Sequence, residues 1–364
     1  LFLLSSILLM TSCIYSEIEE PDEIPSASET SELSMEVSFR PLGDVITRSA
    51  GDAIKHVDRL WVLAYGKDGT LRTKVQVYDG NAVGDEYSYS SSELSSSSIT
   101  GAAESQYCHS TFKLALPLGE YRIYAVANHD LSSFTGTEDE LKAIRLKWNG
   151  SDIASNNPMF GFFTDNETGE VPSEAPVISV NKKTGSLHAW VKRAASKVTV
   201  TYDASELKDN IYIYLKSVQI LDIPKECFLG KENTPASADQ LIHEGEMLTY
   251  SSSATVQDWP YVSKGSPVYE YDGGHTETAQ ALYFFENNQG TGEKHNYHPG
   301  DASWDKDQKT YGTYIEVKGY YVNRTADNSS QGPIIYRFML GKDVTTHFTA
   351  ERSNQYKVTF KLSL

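Results

Sequence analysis

The sequence is poor in cysteine and in basic residues, and it lacks any long apolar run. Its three Cys, at 13, 108 and 227, form no closely spaced pair of the kind that holds zinc. Cys108 and Cys227 are far apart. An oxidising compartment permits a disulfide between them, but nothing in the spacing asks for one. Lys and Arg total 32 against 49 Asp and Glu, a net charge of −17. Phosphate backbones select basic surfaces, so no nucleic-acid partner is expected. No stretch approaches the ~20 consecutive apolar residues of a membrane-spanning helix. There is no Walker loop, no G-x-S-x-G elbow and no H-E-x-x-H pair, and neither enzyme activity nor a cofactor is expected.

Aromatic and hydroxyl side chains are abundant instead. Tyr occupies 23 of 364 positions, within a composition that is 39% apolar and 22% charged. With few helical patterns, that richness leans towards an all-β extracellular protein. The length sets a prior of about two domains.

The chain opens on an apolar run, Leu1 to Met10, too short to span a bilayer but suited to the core of a signal peptide. Thr11 and Ser12 precede Cys13, an arrangement that resembles the lipobox of bacterial lipoproteins, with Met10 where Leu is commoner. That resemblance implies lipid on Cys13 after cleavage of residues 1–12; the competing reading is an ordinary signal peptide with an incidental Cys. Residues 13–32 follow as an acidic tether. Glu17, Glu19, Glu20, Asp22, Glu23, Glu29 and Glu32 carry seven charges unopposed by any base, and Pro21 and Pro25 interrupt any helix. Such a segment buries too little apolar area to offset its ordering entropy.

From residue 33 onward, strands dominate. Leu33, Met35, Val37 and Phe39 alternate with polar residues, which makes one face apolar. Strands are expected over 57–65 and 71–78, joined by the turn Lys67-Asp68-Gly69. Two more, over 111–116 and 121–127, flank Pro117-Leu118-Gly119. Residues 137–148 are the best helix candidate, with Glu138, Asp139 and Glu140 in a first turn that favours negative charge. A second series covers 187–202, 211–220, 281–285, 311–321, 334–340 and 355–364. In the last of these, Tyr356, Val358, Phe360, Leu362 and Leu364 share a face. Pattern alone favours the closing strand of its own sheet over one offered to a neighbour. A boundary near 185 divides two β-sandwich domains, 33–185 and 186–364.

Chemistry is scarce. His295 and His298, followed by Asp301, Asp305 and Asp307, read as a solvated loop, and no metal site is expected. Trp259, Tyr261, Tyr269, Tyr271 and Trp304 suit a glycan platform or, equally, a tyrosine-rich core.

Several segments together resemble the fimbrillin family of type V pilins. They are LWVLAYGKDGTL at 60–71, LALPLGEYRIYAVAN at 114–128, NPMFG at 157–161, VKRAASKVTV at 191–200, ALYFFENNQG at 281–290 and RSNQYKVTFKL at 352–362. The second resembles a hairpin of that family, the third a short loop; Ser196 and Ser353 depart from its usual pattern. The resemblance implies two tandem transthyretin-like sandwiches behind a lipoprotein signal, export to the outer membrane, and assembly into a fimbrium. It also implies that an Arg-specific protease cuts a loop after the first strand. The strand then leaves, and a neighbouring subunit donates another into the open groove. Arg48 and Ser49 match such a site; Arg40 is nearer but precedes Pro41, and Arg48 as a plain surface arginine is the competing reading. Leu33, Met35, Val37 and Phe39 would be the plug. At ~1.5–3 kcal/mol each they total roughly 6–12 kcal/mol, comparable to a domain's stability of about 5–15 kcal/mol. Stalk subunits of the family extend past the last strand, whereas this chain stops at Leu364, which points to a tip or accessory subunit. The expected partners are other pilus subunits, the outer membrane through the precursor's lipid, and a host or bacterial surface ligand. The alternative function is a surface glycan-binding lipoprotein of a nutrient-uptake system.

Overall fold

The computed structural model describes residues 29–39, 57, 59–79, 89–90, 108–150, 158–165, 173–270, 281–293, 309–326, 328–343 and 345–363. Cys13, Arg48, Ser49, Leu364 and the loop from His295 to Asp307 lie outside the described residues.

The chain is nearly all β. Its first part comprises β1 (Thr30–Phe39), β2 (Leu60–Gly66), β3 (Leu71–Tyr78), β4 (Tyr89–Ser90), β5 (Cys108–Pro117), β6 (Gly119–Ala127), the helical turn α1 (Glu138–Lys142), β7 (Arg145–Lys147), β8 (Met159–Thr164), β9 (Ile178–Val180), β10 (Ser186–Trp190) and β11 (Lys192–Arg193). The strands run in the spatial order β3-β2-β6-β8-β10-β1-β5-β4, with β9 beside β6 and β11 beside β8. Side chains from β1, β2, β5, β6, β8 and β10 meet in one apolar cluster, so the sheet folds over its own core as a sandwich does.

The Asp-Gly turn between β2 and β3 forms as its residues dictate. Gly69 takes φ +74°, and the Asp68 carboxylate accepts from the Thr70 N–H at 3.1 Å. The second expected hairpin does not form. β5 pairs with β1 and β4, whereas β6 pairs with β2, β8 and β9. Pro117-Leu118-Gly119 is therefore a corner between two parts of the sheet. NPMFG, expected as a loop, opens β8 instead. Gly161 is required there, because a Cβ would lie 2.3 Å from the Trp190 carbonyl oxygen.

The helix is also shorter than expected. Thr137 caps it, and the Thr137 and Glu140 side chains satisfy each other's backbone N–H groups. It ends at Lys142, because Arg145–Lys147 pair antiparallel with Glu226–Phe228. A tertiary partner outweighs local propensity here.

The second part contains β12 (Ala195–Asp203), β13 (Ile211–Pro224), β14 (Glu226–Phe228), β15 (Leu241–Thr249), β16 (Tyr261–Ser263), β17 (Tyr269–Glu270), β18 (Leu282–Phe285), β19 (Asn287–Thr291), β20 (Tyr314–Thr325), β21 (Asn328–Met339), β22 (His347–Ala350) and β23 (Gln355–Lys361). One sheet runs β15-β13-β20-β21 with β16 beside β13; another centres on β12, flanked by β17, β18 and β23. Both contribute to a second core. The expected single strand over 187–202 is three strands, β10, β11 and β12. Because β10 and β11 pair with β1 and β8, the chain changes sheet at Ala194, past the boundary expected at 185.

A third cluster ties the two parts together. Trp61, Leu63, Tyr65, Tyr124 and Val126 on β2 and β6 pack with Ala195, Leu229 and Phe285. Cys227 lies in this cluster as a free thiol, and burial pushes its pKa up to about 12. Polar residues of the quoted segments also sit at this junction. Arg193 is buried. Arg352 donates to the Glu286 carboxylate at 2.7 Å and to the carbonyls of Phe228, Leu229 and Lys231. Two segments that resemble one family in sequence are therefore joined by one ion pair.

Candidate functional site

The structure brings Leu33, Met35 and Val37 of the first strand together in one core and does not bring Tyr261 and Tyr269 onto one sheet. β1 lies inside the sheet, hydrogen-bonded on both edges. It runs antiparallel to β5 along its whole length, from Thr30 opposite Pro117 to Phe39 opposite Cys108. On its other edge, Ser34–Ser38 run parallel to Ser186–Trp190 of β10. The ends are also held: Leu118 N–H donates to the Glu29 carbonyl and Val191 N–H to the Ser38 carbonyl, each at 2.9 Å.

Alternation does what the sequence demands. Leu33, Met35 and Val37 point inward and are buried against Phe112, Leu114, Leu187 and Ala189. Phe39 ends the strand. The outward face is polar and carries two acids, Glu32 and Glu36, and Glu29 just precedes the strand; each has a basic neighbour. Glu29 meets Lys182 at 3.4 Å, Glu32 meets Lys113 at 2.8 Å, and Glu36 lies 3.8 Å from His188 Nε2. Ser38 is buried at the end of this face, where its hydroxyl donates to Glu36 and lies 3.0 Å from His188 Nε2. Serine, histidine and glutamate thus meet in space, but both oxygens share one ring nitrogen and the hydroxyl is enclosed. The arrangement pins a strand rather than activating a nucleophile.

Neither neighbour of β1 is adjacent to it in the chain. The parallel partner cannot be joined by a tight turn at all. Among the described residues, β1 is thus tied to no hairpin partner. Its three buried side chains are worth ~4.5–9 kcal/mol together. Its removal would also strip hydrogen bonds from two strand edges, which are costly to leave unmade.

The C-terminal strand closes its own sheet. β23 runs parallel to β12, Gln355 opposite Lys197 through Lys361 opposite Asp203. Tyr356, Val358 and Phe360 are half-buried against the second core, and Leu362 is buried. Phe360 stacks on Tyr202 at 5.7 Å and meets Phe338 edge-on at 5.1 Å. Among the described residues β12 is its only paired neighbour.

The platform residues are dispersed. Tyr269 pairs with Tyr202 of β12, on the sheet opposite Tyr261, and Tyr271 and Trp304 lie outside the described residues. Tyr261 instead packs beside Tyr212 and Tyr214 of β13, which sequence alone did not single out. Only the β13–β16 register joins them.

A buried acid was missed as well. Glu138, in the first turn of α1, accepts from Tyr124 at 2.5 Å, from Arg122 at 2.8 Å and from Lys142 at 2.5 Å. Burial alone would raise its pKa, but the bonds from Arg122, Lys142 and Tyr124 outweigh burial and pull it to about 2. Fully satisfied and covered, it is a structural anchor. A group whose folded pKa is depressed stabilises above its unfolded pKa, near 4.5, and loses that contribution as pH falls towards 2. The shift corresponds to about 3 kcal/mol. Urea unfolding of the protein and of Glu138→Gln is expected to differ by that order at pH 6 and to converge only at about pH 2 and below. An undiminished gap at low pH would disprove the anchor.

Comparison with known proteins bears on the fold. Residues 282–360 match the family model described as "Domain of unknown function (DUF4906)". No curated protein matches the chain in sequence. A solved structure named "putative cell adhesion protein", from Parabacteroides distasonis ATCC 8503, superposes with a TM-score of 0.52 at 13% identity, over 92% of this chain and 88% of that one. A fimbrilin from Porphyromonas gingivalis W83 matches over 92% and 91% at 13% identity and a TM-score of 0.45. A protein from Bacteroides thetaiotaomicron VPI-5482, named among "putative polysaccharide binding proteins", gives 0.36 at 12% identity, over 92% of each chain. The first of these shows that the all-β fold is shared.

Proposed function

We propose that the chain is an adhesive surface subunit, assembled into a fimbrium by exchange of its first strand. The single observation that carries this reading is β1: an apolar strand buried in mid-sheet, hydrogen-bonded on both edges, with no hairpin partner. The fold shared with a cell adhesion protein supports the surface role. In this reading Cys13 carries lipid on the outer-membrane precursor, and cleavage at Arg48 releases β1. A donated strand then refills the pockets of Leu33, Met35, Val37 and Phe39 and restores both ladders. The two cores act as tandem sandwiches. The role is binding and assembly, without catalysis.

The test uses the full chain. An Arg-specific protease is expected to cut first between residues 40 and 56, leaving a resistant core that retains β1. On mild warming, a fluorescent peptide of residues 29–39 replaces the resident strand. The same peptide carrying Met35→Asp does not. Cleavage scattered through residues 60–364, or no incorporation of the unmodified peptide, would overturn the proposal.

A further inference from the structure

The outer face of the β15-β13-β20-β21 sheet carries an aromatic stripe with cations at both ends. Tyr214 lies directly between Tyr261 of β16 and Tyr320 of β20, and Tyr212 is in the next row. These residues alternate with Ile213, Val262 and Val317, which face the second core, so the tyrosines lie on the outer face of the sheet, where Tyr212 and Tyr320 are half-buried and Tyr214 is buried beneath its neighbours. Tyr261 is 51% exposed, unusual for a ring of that size, with its centroid 5.4 Å from that of Tyr214 and 5.6 Å from that of Tyr212.

At one end the Lys216 ammonium sits 4.7 Å from the centre of the Trp259 ring, tethered by the carbonyls of Ser251 and Ser253. At the other, the Arg324 guanidinium lies 5.5 Å from the centre of the Tyr212 ring. Neither has a carboxylate partner among the described residues. Between Lys216 and the row of Arg324 the face runs about 20 Å, at the rise of a β-strand. Farther along the same face, Lys318 and Arg337 share one carboxylate, that of Glu316. A chain of net charge −17 has therefore placed these cations along an aromatic row whose exposed ring is Tyr261.

We infer that this stripe binds a carboxylated polysaccharide. Aromatic rings offer flat apolar surface to the C–H faces of sugar rings. Arginine offers a planar fork of donors that matches a carboxylate. A neutral glycan would leave Arg324 and Lys216 unanswered, and nucleic acid would meet the acidic remainder of the molecule. The length of the stripe suits several sugar units in a row, not a single residue. This deepens the adhesive half of the proposed function by naming a ligand class. It does not depend on strand exchange, since the stripe lies on the second part of the chain.

The experiment is native electrophoresis of the uncleaved full chain in gels containing polygalacturonate, dextran or no polymer. Migration is expected to slow in polygalacturonate alone. General charge would repel this acidic protein from that polymer, so slowing requires a site. Tyr261→Ala and Arg324→Gln, both at exposed positions, are each expected to weaken binding roughly tenfold while leaving the melting temperature unchanged. Equal mobility in all three gels, slowing in dextran, or slowing that survives both substitutions would overturn the inference. Any of these results leaves peptide incorporation into the β1 slot unaffected.

Discussion

Met35→Asp is expected to unfold the first core, whereas Ser34→Asp, one residue away, leaves it intact. Met35 is buried and Ser34 is exposed on the same strand. The substitution at 35 removes ~2–3 kcal/mol of apolar burial. It also places a carboxylate among Phe112, Leu114 and Leu187, where an unpaired charge costs several kcal/mol more. A total of roughly 5 kcal/mol is a large fraction of a domain's stability. At about 2–4 °C per kcal/mol, the melting temperature should fall by roughly 10–20 °C, with binding of a hydrophobic dye appearing at once. The substitution at 34 should move it by no more than a degree or two. Equal melting of the two variants would mean that β1 lies on the fold without holding it.

The second large effect is expected at the junction. Arg352 is nearly buried and spends its donors on Glu286 and three carbonyls. Among the described residues, Arg352→Met leaves the buried Glu286 carboxylate with the Asn233 N–H, at 3.1 Å, to answer it. Breaking a buried pair from one side costs ~3–5 kcal/mol. The double variant with Glu286→Met is expected to regain part of that loss, because the uncompensated charge is gone. Denaturant midpoints of the four proteins give the coupling energy directly. A double variant weaker than the sum of the single ones would rule out a charge-pair origin.

These two sites show what could be read beforehand. The alternation of Leu33, Met35 and Val37 gives the inward face of β1 unaided, since side chains on a strand alternate with period two. Lys67-Asp68-Gly69 and the acidic first turn of the helix at Glu138–Glu140 were legible because turn and helix-start chemistry is local. Glu286 and Arg352 could be seen as parts of resembling segments, but not as partners. The helix over 137–148 failed at Lys142, where distant β14 captured residues 145–147. The strand over 187–202 failed because continuous β-forming sequence does not mark where a chain leaves one sheet for another. The five aromatics that suited a platform or a core equally could not be sorted for a related reason: the neighbours of Tyr261 are Tyr212 and Tyr214, which a register some fifty residues away supplied.

The sequence by itself determined the all-β character, the apolar face of each clear strand, the tight turn and the acidic start of the helix. All of these follow from contacts within a few residues. Only the tertiary structure decided that β1 sits between β5 and β10, that Pro117-Leu118-Gly119 is a corner, and that the exposed Tyr261 ends a cation-flanked row of tyrosines on the outer face of a sheet. Periodicity specifies which way a side chain points, but pairing is chosen by the joint burial of many distant side chains, and no single segment carries that information.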